Sequence, residues 1–163
     1  MKKVIVIGCP GSGKSTFARA LHDKTGIPLY HLDMMYWNKD KTTVPREVFI
    51  KRLREAMEKP EWIIDGNYAS TMEMRFEACD TVFFLDYPTD VCLSGIEERQ
   101  GQPRSDMPWI EENNRDEEFI EFIRQYNKEN RPKVVALIKK YPSKDVKTFR
   151  SRKDADEYLK TAQ

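Results

Sequence analysis

Residues Gly8 to Thr16 read G-C-P-G-S-G-K-S-T and follow directly on the apolar run Val4-Ile5-Val6-Ile7. The spacing is GxxxxGK[ST], and its setting restricts the fold sharply. A buried strand must deliver the chain to a Gly-rich turn, and the turn must open a helix. Gly8, Gly11 and Gly13 let backbone N–H groups converge on phosphate oxygens with no Cβ in the way. The helix N-terminus adds partial positive charge at the same point. Lys14 is spaced to reach β- and γ-phosphates and the Ser15 hydroxyl to bind Mg²⁺. The expected phosphate cradle is therefore Gly8, Pro10, Gly11, Ser12, Gly13, Lys14, Ser15 and Thr16.

The rest of the chain alternates between strand and helix patterns. Strands are expected at residues 3–7, 28–32, 61–65, 81–85 and 146–149, the last at a sheet edge. Helices are expected at 14–24, 45–59 (with Pro45 in the first turn), 70–77, 89–99, 116–126 and 134–141. Ser151 with Asp154 reads as a capping box for a terminal helix. In the helix after Asp116, Phe119, Phe122, Ile123 and Tyr126 fall on one face. Strands separated by helices imply an α/β domain whose parallel sheet is covered on both faces. Thr81-Val82-Phe83-Phe84-Leu85, apolar throughout, suits such a strand. Residues 100–115 carry two prolines, a glycine and no period, the mark of a functional loop in a compact domain.

Ligands of such sheets bind at the carboxyl ends of the strands. Asp33, Asp65 and Asp86 fall near three of those ends. Asp65 reads either as a carboxylate holding Mg²⁺ through water or as a turn residue before Gly66, and we favour the first. Asp33 reads as a hydrogen-bond acceptor or base toward a substrate hydroxyl, or as a cap. Asp86 reads as a cap. Arg99, Arg104 and Arg115 bracket the irregular loop and Arg131 follows it. Arginines on a closing loop stabilise transition-state charge, which nominates Arg99, Arg104 and Arg131. Arg75 is a candidate contact to the acceptor. Tyr36, Trp37 and Tyr68 lie just past strand ends and either stack on a ligand or fill the core. His31 is expected to pack beside the second strand.

Composition narrows the class. The chain has 163 residues, 39% hydrophobic and 34% charged, with a net charge of +1, enough for one soluble domain with a proper core. No apolar run approaches the roughly 20 residues of a membrane span. Met1-Lys2-Lys3 runs straight into the first strand, so no signal peptide is expected and the compartment reads as cytoplasmic. Cys9, Cys79 and Cys92 lack metal spacing and are expected to stay reduced. Residues 127–163 carry 11 basic and five acidic groups, but these interleave at helical spacing, so nucleic acid is not the expected partner. Asn38-Lys39-Asp40-Lys41 lacks the closing acid of a guanine-specificity segment.

The chain resembles the small P-loop kinases of the adenylate-kinase-like superfamily, and more narrowly the topology modulation (FlaR-related) proteins. The matching stretches are G-C-P-G-S-G-K-S-T, Y-H-L-D-M-M-Y-W at 30–37, I-I-D-G-N-Y at 63–68, F-F-L-D-Y-P at 83–88, the segment from Arg99 to Met107, and Asn130-Arg131-Pro132-Lys133. The resemblance implies a P-loop NTPase three-layer sandwich over residues 1–163. Its five-stranded parallel sheet runs in the order 2-3-1-4-5, with a LID-like segment at about 100–115. It implies ATP with Mg²⁺ and a small-molecule acceptor: a nucleoside, a nucleotide or another hydroxyl compound. Lys14, Asp33, Arg99, Arg104 and Arg131 are the expected catalytic groups. Asp33, Trp37, Asp65, Tyr68 and Arg75 are the expected acceptor contacts, and Ser15 and Asp65 the metal ligands. Asn67 and Tyr68 stand where adenylate kinases carry Phe-Pro-Arg, so the arginine that grips a nucleotide monophosphate is missing there. Asp33 is placed as in the small-hydroxyl kinases. The expected assembly is a monomer or a homodimer. The family label admits another reading, a nucleotide-binding regulatory protein linked to DNA topology.

Overall fold

Val4, Ile5, Val6 and Ile7 have no solvent exposure, because β1 (Lys3–Gly8) is the middle strand of the sheet and both its faces are covered. The computed structural model describes residues 1–99 and 117–162, with the side chain of Arg99 excepted. The expected LID-like segment, with Arg104 and Arg115, lies outside the described residues, as does the Arg99 side chain.

From β1 the chain runs through α1 (Lys14–Thr25), β2 (Leu29–His31), α2 (Leu32–Tyr36), α3 (Arg46–Met57), β3 (Trp62–Asp65), α4 (Ala69–Ala78), β4 (Thr81–Leu85) and α5 (Thr89–Arg99). After the undescribed segment come α6 (Glu117–Glu129), α7 (Arg131–Lys140), β5 (Asp145–Phe149) and α8 (Arg152–Thr161). The five strands form one parallel sheet in the order β2-β3-β1-β4-β5.

Strand alternation sorts the core into two layers. Val4, Val6, Ile63, Phe83 and Leu85 pack against Phe17, Ala18 and Leu21 of α1, Ile96 of α5, Ile120 and Ile123 of α6, and Ala155 of α8. Ile5, Ile7, Ile64, Val82 and Phe84 pack on the other face against Phe49 and Leu53 of α3, Met72 and Phe76 of α4, and Val134 of α7. The Phe17 ring lies 5.1 Å from Phe83 and 5.5 Å from Phe149, stapling α1 to β4 and β5.

Local chemistry sets the element ends. Gly26, at φ 75°, closes α1 by donating its N–H to the His22 carbonyl. Ser151 Oγ accepts the Asp154 N–H at 3.2 Å, the expected cap of α8. The second strand is shorter than its apolar pattern suggests, because Leu32 turns inward to begin α2. Pro45 is the N-cap of α3 rather than a residue of its first turn. Phe122 is 43% exposed, and Ile120 takes its expected place on the inner face of α6.

The parallel register brings the functional strand ends to one edge. His31 pairs with Asp65, Asp65 with Val6, and Gly8 with Leu85.

Candidate active site

The loop between β1 and α1 is shaped by its glycines and by what lies beneath it. Gly11 and Gly13 have φ of 86° and 94°, in the left-handed region where a Cβ is strained. A Cβ on Gly11 would stand 2.0 Å from the Cys92 carbonyl oxygen of α5, and one on Gly95 would stand 2.0 Å from the Gly11 carbonyl oxygen. The loop and α5 are thus in backbone-to-backbone contact. At Gly13 a Cβ would meet nothing within 4 Å, so the mouth of the loop is open. The Ser12 N–H donates to the Cys9 carbonyl at 3.0 Å, and Arg152 Nη2 donates to the Gly11 carbonyl at 3.3 Å.

Three features fit this loop to an anion. Helix α1 begins at Gly13 with no side-chain cap, which leaves its N-terminal dipole available to a ligand. Ser12 is 2% exposed, and its Oγ has no hydrogen-bond partner. Buried hydroxyls are ordinarily satisfied, so an orphan inside a cradle points to a partner that arrives with a ligand. Lys14 Nζ lies over the loop, 3.5 Å from the Cys9 carbonyl. Pro10, Lys14 and Ser15 are half-buried and Thr16 is exposed. Cys9 is buried below the loop, and a hydrogen bond to Cys92 together with burial pushes its thiol up. All three cysteines are free.

Beside the loop, residues 66–68 join the two halves of the site. Asn67 clamps Gly8, accepting its N–H at 3.3 Å and donating Nδ2 to its carbonyl at 2.6 Å. Tyr68, at φ 39°, donates its hydroxyl to Asp33 Oδ1. A non-glycine residue holds this conformation only where its surroundings impose it, and Arg75 imposes it. Arg75 is completely buried. Its Nη1 donates to the Gly66 carbonyl at 2.9 Å, its Nη2 to the carbonyls of Asn67 and Tyr68, and its Nε to Thr71 Oγ1 at 3.3 Å. Burial pulls the guanidinium down to about 9, opposed by the Asp65 carboxylate, so it remains a cation at neutral pH. Arg75, expected as an acceptor contact, directs its donors inward to the 66–68 turn.

Asp65 ends β3, is 4% exposed, and holds His31 Nδ1 at 2.6 Å. His31, expected only to pack beside its strand, thus orients this carboxylate. Helix α2 carries Asp33 and Tyr36 alongside, and Trp37 follows as its extended C-cap. Tyr36 lies 4.9 Å from Tyr68, 5.4 Å from Trp37 and 5.3 Å from Phe49, ring centre to ring centre. Tyr36, Trp37 and Tyr68 are half-buried, and Tyr36 and Tyr68 pack against the core layer that contains Phe49 and Leu53. Burial first, and then the charge of Asp33, pushes the Tyr68 hydroxyl up, which keeps it a donor.

On the far side of the loop, Asp86 follows β4. It caps no helix. Arg131 Nε and Nη2 fork onto its two oxygens at 2.8 Å each, and Arg150 Nη1 approaches Oδ2 at 3.1 Å. Arg131 was expected to face the transferred group, but its fork is engaged by a buried carboxylate. Several cations of the basic tail have acidic partners: Lys140 with Glu73, Lys147 with Asp145, Arg152 with Glu98. Among the described residues, no group of three acidic, histidine or cysteine side chains could cage a metal. The arrangement suits a hard cation held by one or two protein oxygens and a phosphate tail. Also among the described residues, no helix is long and apolar enough to cross a membrane.

Solved structures share this architecture. Shikimate kinase from Acinetobacter baumannii, in complex with shikimate, superposes with a TM-score of 0.64 over 98% of this chain and 92% of its own, at 17% identity. Shikimate kinase from Bacteroides thetaiotaomicron gives 0.58 over 96% and 93%, at 19% identity. The fold is that of the P-loop kinases. A sugar kinase from Janibacter gives 0.54 over 99% and 92%, at 17% identity. In sequence, adenylate kinase from Thermotoga neapolitana is 32% identical over 94 residues, 56% of this chain and 42% of the relative. Adenylate kinase from Thermotoga maritima is 31% identical over the same length. The chain thus matches less than half the length of these relatives. No protein-family profile matches the chain, and none of the proteins named here is a topology modulation protein. Nothing in these likenesses favours a DNA-linked regulatory role.

Proposed function

We propose that the protein is an ATP-dependent phosphotransferase that moves the ATP γ-phosphoryl group to a nucleoside, a nucleotide or another small hydroxyl acceptor. One observation carries the reading. The loop after β1 is an open cradle with an uncapped helix N-terminus and an orphaned buried hydroxyl, with carboxylates nearby in Asp65 at the end of β3 and Asp33 on α2. The names of the sequence relatives and structural neighbours, adenylate, shikimate and sugar kinases, support the same class.

Bound Mg·ATP supplies the phosphoryl group and a divalent charge that neutralises it. The loop amides and Lys14 hold the β- and γ-phosphates, and Ser12 Oγ gains its missing partner. Ser15 and Asp65 would hold the divalent cation, with His31 keeping Asp65 in place. Asp33, steadied by Tyr68, takes the proton of the acceptor hydroxyl as that oxygen bonds to the γ-phosphorus. The bond to the bridging oxygen breaks and ADP leaves. Trp37 and Tyr68 line the acceptor side. Arg99 and Arg104 neutralise developing charge, while Arg131 holds Asp86 at the end of β4.

Lys14→Ala tests the reading. We expect Mg·ATP turnover to fall by about a thousandfold or more, with an unchanged circular dichroism spectrum. Turnover equal to that of the unaltered protein rejects the assignment, and so does a flat calorimetric titration of the unaltered protein with Mg·ATP.

A further inference from the structure

Resting on the phosphotransferase reading, we infer that the acceptor is an unphosphorylated hydroxyl compound with a planar or apolar face, and that nucleoside monophosphates and sugar phosphates are excluded. The acceptor side is assembled at the carboxyl ends of β2 and β3, and it presents carboxylates and rings. Its deep cation, Arg75, has no exposure, and its nitrogens bind the carbonyls of Gly66, Asn67 and Tyr68 and the Thr71 hydroxyl. Releasing that guanidinium to meet an acceptor phosphate would leave those carbonyls unsatisfied and free Tyr68 from its left-handed conformation. Asn67 would then let go of Gly8, and Tyr68 of Asp33. A phosphate grip by Arg75 would therefore dismantle both halves of the site.

Two arginines of α3 reach the same rim from outside. Arg46 Nη1 donates to Ser70 Oγ at 3.1 Å, and Arg52 Nη1 to the Met35 carbonyl at 2.9 Å. Both are exposed, so a phosphate held there stays hydrated and weakly bound. Among the described residues, the other groups on this side are the Asp33 carboxylate and the half-buried rings of Tyr36, Trp37 and Tyr68. A carboxylate repels a phosphate dianion and accepts a hydroxyl proton. The aromatic rings gain most from a flat or apolar ligand face.

Matched pairs test the inference: adenosine, guanosine, cytidine and thymidine with their 5′-monophosphates, and shikimate and glucose with their phosphates. Each compound is titrated calorimetrically into the protein saturated with Mg·ADP and assayed for stimulated ADP release from Mg·ATP. We expect at least one unphosphorylated compound to bind tenfold or more tightly than its phosphorylated partner and to stimulate release. Asp33→Asn should narrow that binding ratio about tenfold, a change that a purely structural role for Asp33 would not produce. Trp37→Ala should weaken the unphosphorylated ligand with the fold intact. Equal or tighter binding of the phosphorylated members overturns the inference, as does a panel in which no unphosphorylated compound binds. Failure of the phosphotransferase reading looks different: Mg·ATP itself gives no heat and no turnover, whatever the acceptor.

Discussion

Arg75 shows how one buried side chain can shape a turn beside a candidate site through its backbone carbonyls. A buried guanidinium is tolerated when its donors are satisfied and a carboxylate stands near, and Arg75 has both. What it does is hold the carbonyls of residues 66–68 inward, so that Asn67 faces the phosphate loop and Tyr68 faces Asp33. Arg75→Met keeps the bulk and removes the donors. We expect a stability loss of roughly 2–4 kcal/mol, read as a lower urea midpoint with an unchanged slope. Arg75→Lys should recover only part of it, since one ammonium cannot span three carbonyls. A loss below about 1 kcal/mol in the Met variant would mean that the turn holds its shape unaided.

At the scale of elements, the informative contact is between the phosphate loop and α5. Gly11 and Gly95 let the two backbones touch, and either Cβ would overlap a backbone atom. The loop rests on α5, and the chain passes from α5 into the segment expected to be lid-like. Gly95→Ala should push the helix away, costing roughly 1–3 kcal/mol and weakening Mg·ATP binding in calorimetry. Gly26→Ala is the control. It strains a left-handed cap with open space around it and should cost about 1 kcal/mol, with nucleotide affinity unchanged. Equal affinity losses in the two variants would assign the effect to general destabilisation.

For the whole molecule, one parallel sheet brings the ends of β1, β3 and β4 to the edge that carries the candidate site. A ligand that fills the cradle binds only the folded chain, so it must raise the melting temperature by mass action. At a hundredfold excess over Kd, the gain is about 2.7 kcal/mol, on the order of 5–10 °C for a chain of this size. Scanning fluorimetry with Mg·ADP should show this shift, and Lys14→Ala should reduce it. No shift at saturating nucleotide would separate the fold from nucleotide binding.

Much of the architecture is a property of local sequence. Four β-branched residues before a Gly-rich turn specify β1 and its loop, because strand burial and left-handed φ are decided within a few residues. β3 and β4 follow from their own apolar runs, and separation of the strands by helices dictates parallel pairing. The positions of Lys14, Ser15 and the cradle glycines were legible for the same reason. The partnerships at the site were not. Asp65 meets His31 across 34 residues, Asp86 meets Arg131 across 45, and Asn67 meets Gly8 across 59. Such pairs leave no periodic signal along the chain; sheet register creates the first, and the packing of α7 and of the turn after β3 creates the others. Arg75 is the clearest case. An arginine on a short helix near a strand end reads as a ligand contact, and only the packing of α4 on β1 and β3 decides that its charge points into the protein.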